Sequence, residues 1–351
     1  MRPCLKSLGL AMFLIGSTLI GLQKGDANAL GAPTLVNRAP ALAQTTEQPK
    51  TEEDRVLQQC RQDLQTSQYW AALQSCEQAI ATFQQLQNPG GEARALNNLG
   101  LAYNSLSQYE KAIAYYEQAL SLYQQVKDRY GEANILNNLG NAYELLSQYD
   151  QAFIFHEQAL VLAREVNDRN EEGTALNGIG DGYAYQSKYI KAQEFYEQAL
   201  AIFKATDNRE GEAQSLHNIG SMFIQQDQYL KALENYKLAL AIRQKIRNKQ
   251  GKAESLHSIG LAYQCLNKNS EALEFYRQAL VIFKQIGDRW GEGNTLNNIG
   301  LIYTSLGNYF QALEAFQLAL VIREEIKDRA GQGFTLNNIG QVYFRLGQYP
   351  K

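Results

Sequence analysis

Histidine, cysteine, proline and tryptophan are all scarce in this 351-residue chain, at three, four, six and two copies. Each scarcity removes a class of explanation. The four cysteines show no metal-ligand spacing. His217 and His257 sit forty residues apart with no third ligand beside them, so they read as polar filler, and no metal site or cofactor is expected. Six prolines leave long helices unobstructed. A formal charge of −3 without any cluster of Lys and Arg gives no footprint for nucleic acid. No phosphate-cradling loop occurs either: Gly291-Glu292-Gly293 lacks a third glycine and a preceding strand. Paired carboxylates such as Glu171-Glu172 fall at helix starts, where the helix dipole favours them. No catalytic residue is assigned, and the chain is expected not to be an enzyme.

The first residues carry a different signal. Arg2 and Lys6 precede a charge-free run from Ser7 to Leu22, and small residues follow at Ala27-Asn28-Ala29 and Ala41-Leu42-Ala43. This is the pattern of a secretory signal, with cleavage after Ala29 or Ala43; an uncleaved anchor is the alternative, and otherwise no membrane contact is expected. Residues 1–43 are read as signal and pro-linker and 44–50 as linker. Removing 1–43 takes away four basic residues against Asp26 alone, leaving about −6. The expected location is the periplasm or the exterior.

From there a forty-residue period dominates. Glycine recurs at 100, 140, 180, 220, 260, 300 and 340, leucine at 96, 136, 176, 216, 256, 296 and 336, and an aromatic residue at 103, 143, 183, 223, 263, 303 and 343. Leu96, Leu99, Gly100 and Tyr103 share one face of a first helix; Ala112, Tyr116, Ala119 and Tyr123 share one face of a second. Gly100 is expected to face Ala112 and Ala119 so that the helices can approach closely. Ser107 and its equivalents mark a turn or cap inside each pair, and Asn88, Asp128, Asp168, Asn208, Asn248, Asp288 and Asp328 are expected to cap the next first helix.

The pattern Leu96, Leu99, Gly100, Tyr103, Ala112, Tyr116 and Ala119 resembles the tetratricopeptide repeat, in a lengthened form that runs into Asp-Arg turns such as Asp128-Arg129. The resemblance covers about 51–351, although the usual proline at the end of the second helix is missing. It implies an all-α solenoid, an α-α superhelix of stacked helical hairpins with a concave groove, because no hairpin can bury its apolar face alone. Residues 51–90 read as a degenerate capping repeat and 91–351 as the array. The last hairpin is incomplete, which points to a fragment of a longer chain.

Cys60 and Cys76 are equidistant from the turn near Ser67-Gln68, so an exported protein can join them in a disulfide. The informative polar feature is a ladder at Asn98, Asn138, Asn218, Asn298 and Asn338, interrupted by Gly178 and Ser258, with a second row at Asn97, Asn137, Asn177, Asn297 and Asn337. Asparagine is a mediocre helix former, so its repetition needs a reason. Arg94, Asn98, Leu101 and Ser105 form a stripe expected to line the groove, with Asn134 and Asn294 as groove neighbours of the ladder. In similar repeats of kinesin light chains and of the O-linked N-acetylglucosamine transferase, such a ladder holds a peptide backbone. The same amides can instead brace one repeat against the next. The expected function is a non-catalytic scaffold holding an extended peptide or partner protein; the alternative is the front part of a protein ending in a caspase-like protease domain.

Overall fold

The computed structural model describes residues 52–65, 68–106 and 108–347. The signal and linker expected over 1–50 lie outside them. The described residues form fifteen helices and no strand: α1 (Glu52–Gln65), α2 (Tyr69–Gln85), α3 (Pro89–Ser105), α4 (Tyr109–Val126), α5 (Arg129–Leu145), α6 (Tyr149–Glu165), α7 (Arg169–Tyr185), α8 (Tyr189–Ala205), α9 (Arg209–Gln225), α10 (Tyr229–Lys245), α11 (Lys249–Cys265), α12 (Asn269–Ile286), α13 (Arg289–Ser305), α14 (Tyr309–Glu325) and α15 (Arg329–Arg345). No helix among the described residues is long and apolar enough to cross a membrane. The chain divides into two compact units between Ile179 and Gly180, within α7. In each unit, consecutive helices pack as hairpins, and each hairpin covers the apolar face of the next.

Both kinds of junction follow from local chemistry. Before each first helix from α3 onward an Asn or Asp side chain accepts a hydrogen bond from the free amide three residues on, as at Gly91 N to Asn88 Oδ1 (2.9 Å) and Gly211 N to Asn208 Oδ1 (3.0 Å). Inside the hairpins the expected cap is absent: Gln148, Lys188, Gln228 and Lys268 occupy the cap position and make no side-chain cap bond. Ser147, Ser187, Asp227 and Asn267 instead take left-handed backbone, with φ of 58–60°. They end the first helix rather than start the second.

Close approach of paired helices rests on rings over glycines. A Cβ built on Gly100 would lie 2.4 Å from Cε1 of Tyr116, and His156, Tyr196, Tyr236, Tyr276 and Phe316 crowd Gly140, Gly180, Gly220, Gly260 and Gly300 in the same way. The partner of Gly100 is thus the ring at 116, not the alanines at 112 and 119. Those alanines are themselves fully buried. Cys60 and Cys76 occupy the registers of the glycine and the ring, with Cα atoms 4.8 Å apart, and are joined as a disulfide.

A second contact of this kind links neighbouring hairpins. Phe83, Tyr123, Phe203 and Phe283 lie over Gly91, Gly131, Gly211 and Gly291. Arg243 and Arg323 replace the ring over Gly251 and Gly331. In one hairpin the pair is exchanged: Ala163 stands where the ring would be, and Glu171 where the glycine would be.

Candidate functional site

Successive first helices meet along the asparagine rows, and most of the ladder is shut inside the protein. Asn98, Asn138, Asn218 and Asn298 are buried, while Arg94, Asn134, Asn294 and Asn338 are half-buried. Ten consecutive residues of α9, Gly211 to Gly220, are buried, so the expected open stripe is a seam there.

In the N-terminal unit the amides run in a chain. Asn138 Nδ2 donates to Asn97 Oδ1 (2.9 Å), and Asn97 Nδ2 to Asn134 Oδ1 (3.0 Å). Asn134 Nδ2 donates to Glu171 Oε1 (2.9 Å), and Asn137 Nδ2 to Glu171 Oε2 (2.7 Å). The carboxylate that replaced a glycine therefore closes the chain. Asn137 Oδ1 lies 3.2 Å from Nδ1 of the buried His156. These bonds tie α3, α5 and α7 together across repeats.

The C-terminal unit uses charge as well. Gln214 Nε2 donates to Asn218 Oδ1 (2.8 Å), and Asn218 Nδ2 to Asp181 Oδ2 (3.2 Å), which also receives the Tyr196 hydroxyl on its other oxygen (2.7 Å). Arg243, 1% exposed, donates from Nε to Glu210 (3.0 Å) and from its terminal nitrogens to Gln214 Oε1 (2.6 Å), Ser255 Oγ (3.1 Å) and the Gly251 carbonyl (3.2 Å). A buried guanidinium is tolerable only when its donors are satisfied in this way. Glu254 Oε2 lies 3.5 Å from Arg243, yet burial outweighs that neighbour and pushes the carboxyl up to about 7. Burial brings His257 down to about 4. Burial, then Arg243 and His257, hold His217 well below the usual imidazole range.

His257 is neutral and its tautomer follows from its partners. Thr295 Oγ1 donates to the Gly291 carbonyl, so His257 Nδ1–H donates to Thr295 (2.9 Å) and Nε2 accepts from Asn298 Nδ2 (3.2 Å). Among the described residues no three His, Cys, Asp or Glu side chains come together as a metal cage.

Of the ladder and its groove neighbours, three amide atoms remain unspent. Asn98 Nδ2 in one unit and Asn294 Nδ2 and Asn298 Oδ1 in the other find no partner among the described residues. The last two, a donor and an acceptor, stand one turn apart on α13, with half-buried Trp290 a turn before them and half-buried Leu301 after. Arg323 takes the other atom of Asn294, donating to Oδ1 at 2.7 Å. Asn338 Nδ2 donates to Asn297 Oδ1 (3.1 Å) and so packs α15, with half-buried Phe334, against α13. Trp290 and Phe334 were not singled out in the sequence, although Phe334 falls on the Arg94 register of the expected stripe and Trp290 one turn before it.

Stacked hairpins joined along polar seams of their first helices define a class, the helical-repeat scaffold. The chain belongs to the tetratricopeptide-repeat family, whose model matches residues 63–125, 131–205, 211–285 and 291–351. With that membership goes the coarse function, a scaffold for protein interaction. No curated protein sequence matches the chain significantly. Among solved structures it is similar to the Rap conjugation gene regulator of the plasmid pLS20 in complex with the Phr peptide, at 14% identity over 83% of this chain and 81% of that one, TM-score 0.65. A Rap protein complexed with Competence and Sporulation Factor gives 15%, 85%, 87% and 0.61. The apo form of RapI gives 15%, 79%, 99% and 0.59. At such identities the likeness is one of fold.

Proposed function

We propose that the chain is a non-catalytic binding scaffold that holds an extended, mainly uncharged peptide segment against the first helices of its C-terminal unit. The observation that carries this is the unspent pair on α13. Asn294 Nδ2 can donate to a peptide carbonyl while Asn298 Oδ1 accepts from a peptide N–H, and Trp290, Leu301 and Phe334 offer apolar contact beside them. A buried polar atom left without a partner costs about 1–3 kcal/mol, which a bound backbone would recover. Neither atom touches solvent in the unliganded arrangement, so binding includes a side-chain rearrangement. The Rap neighbours bound to a peptide and to Competence and Sporulation Factor lend support as fold analogues.

Selection from a displayed random-peptide library tests this. The parent protein should enrich peptides that alternate apolar with small uncharged residues, and the pair Asn294→Ala and Asn298→Ala should lose that enrichment while melting normally. No enrichment by the parent, or unchanged enrichment by the variant, removes the site; a large loss of melting temperature would make these amides braces only.

Export is part of the same proposal. The disulfide between Cys60 and Cys76 suits an oxidising compartment, in keeping with the charge-free run near the start. Recovery of the chain in the cytoplasmic fraction with two free thiols at these positions would exclude it.

A further inference from the structure

Several strongly exposed apolar side chains of the C-terminal unit stand on one edge, where first helices turn into second helices. Ile190, second residue of α8, is 81% exposed, and Leu230, at the same position of α10, is 71% exposed. The register of Ile190 and Leu230 returns two repeats after Leu230 as Phe310, 79% exposed, and Tyr185, which ends α7, is 59% exposed. All belong to ordinary helical turns whose other apolar residues are covered, Ala192 and Ala232 completely. Burial within the fold does not explain them.

The edge is cationic as well as apolar. Lys188 and Lys191 reach back over the Tyr183 ring, 5.8 and 5.3 Å from its centre, and Lys231 lies 5.2 Å over Phe223. The acid in the same turns is Asp227, already engaged by the Tyr229 hydroxyl; Glu194 and Glu234 lie a turn further along their helices. The hairpins α7/α8 and α9/α10 thus present an aliphatic knob outermost, lysine beside it and an aromatic ring beneath, whereas α11/α12 carries Ser270 and Glu271 at these positions and α13/α14 carries Phe310 without a lysine. Side chains with this order of apolar body and charged tip suit a boundary between hydrocarbon and water.

Knobs distinguish the occupant. A helical partner needs an apolar stripe that continues along one helix, and here Ile190 is followed on its face by Glu194 and Glu197. Side chains that protrude singly, exposed on nearly every side, are covered by a medium that closes around each of them. We propose that this edge seats on an anionic lipid surface, with Ile190, Leu230 and Tyr185 entering the acyl boundary and Lys188, Lys191 and Lys231 at the headgroups. This contact is separate from the peptide site on α13 and from any membrane affinity of residues 7–22.

The test places a reporter on the edge of the full chain. Ile190→Trp and, as control on the same helix, Glu197→Trp are mixed with vesicles of phosphatidylcholine and phosphatidylglycerol whose acyl chains carry bromine. The added indole at 190 should be quenched and that at 197 spared, against the constant background of Trp70 and Trp290. Replacing Lys188, Lys191 and Lys231 with Gln should raise the anionic lipid needed for half-maximal quenching roughly tenfold or more. Vesicles of phosphatidylcholine alone should quench weakly. Equal quenching at both positions, or none at 190, overturns the proposal. So does capture of poly-glutamate by this edge without lipid quenching, which would assign it to an acidic protein segment. Melting temperatures should match the parent in every variant, because the substituted side chains are exposed.

Discussion

Glu254 shows how far a single residue can bend the stability of this chain. Its carboxyl, buried on the polar seam and only loosely paired with Arg243, sits at about 7 in the folded protein against an ordinary 4.5. The folded state therefore holds this proton more tightly than the unfolded chain, and its contribution is complete below pH 4.5 and lost as pH rises to about 7. The shift corresponds to about 3 kcal/mol at most. His257 acts in the opposite direction: it is lowered from 6.5 to about 4, so its contribution is present above 6.5 and lost as pH falls towards 4. Glu254→Gln should raise the melting temperature at about pH 8 and leave it nearly unchanged at about pH 4. Thermal melts across that range decide it; a gain of equal size at both ends would show that the carboxyl is not the titrating group.

At the scale of elements, the ring-on-glycine contact decides how closely two helices pair, and two glycines of the C-terminal unit give a matched comparison. A Cβ on Gly220 would meet the Tyr236 ring at 2.7 Å, whereas one on Gly340 meets nothing within 4 Å. Gly220→Ala should cost about 1–3 kcal/mol by overpacking. Gly340→Ala should be neutral or stabilise α15 by up to about 1 kcal/mol through helix propensity. Denaturant titration of both variants reads the difference; equal effects would mean that propensity, not the ring, sets the cost. The glycines were legible as close-approach points because they recur in register. Their partner was not, since Ala112 and Tyr116 share one helix face and only the crossing of the helices decides which meets Gly100. The caps at Asn88, Asp128 and their equivalents were legible from residue type alone, because a short acceptor before a helix has one local use. The left-handed residues at Ser147 and Asp227 were not, because a serine or aspartate between helices suits either a cap or a turn. The burial of the ladder was illegible for a related reason. Spacing puts Asn98 and Asn138 on one stripe but does not show that the neighbouring first helix covers it. One signal went unused: Ala163 and Glu171 depart from the pattern together, and that paired exchange marks a contact.

Across the whole molecule, stability in an array of this kind is a sum of terms between neighbours, so a hairpin with one neighbour among the described residues depends most on its own internal contact. In α1 and α2 that contact is the bond between Cys60 and Cys76, which takes the place of the glycine and ring used by every later hairpin. Around it, Gln59 and Ser75 hold the buried Asp63 at 2.7 Å each, and Leu57, Leu64, Ala79 and Phe83 complete the packing. Opening a crosslink over a loop of this length costs about 3 kcal/mol. Cys60→Ala with Cys76→Ala should therefore loosen α1 and α2 ahead of the rest, seen as faster amide exchange over residues 52–85. If disulfide and ring are interchangeable solutions at one register, Cys60→Gly with Cys76→Tyr should slow that exchange again and make it indifferent to reductant. Exchange in the glycine and tyrosine variant as fast as in the alanine variant would show that this hairpin lacks room for the ring, and that the crosslink is its own solution rather than a substitute for the repeat's.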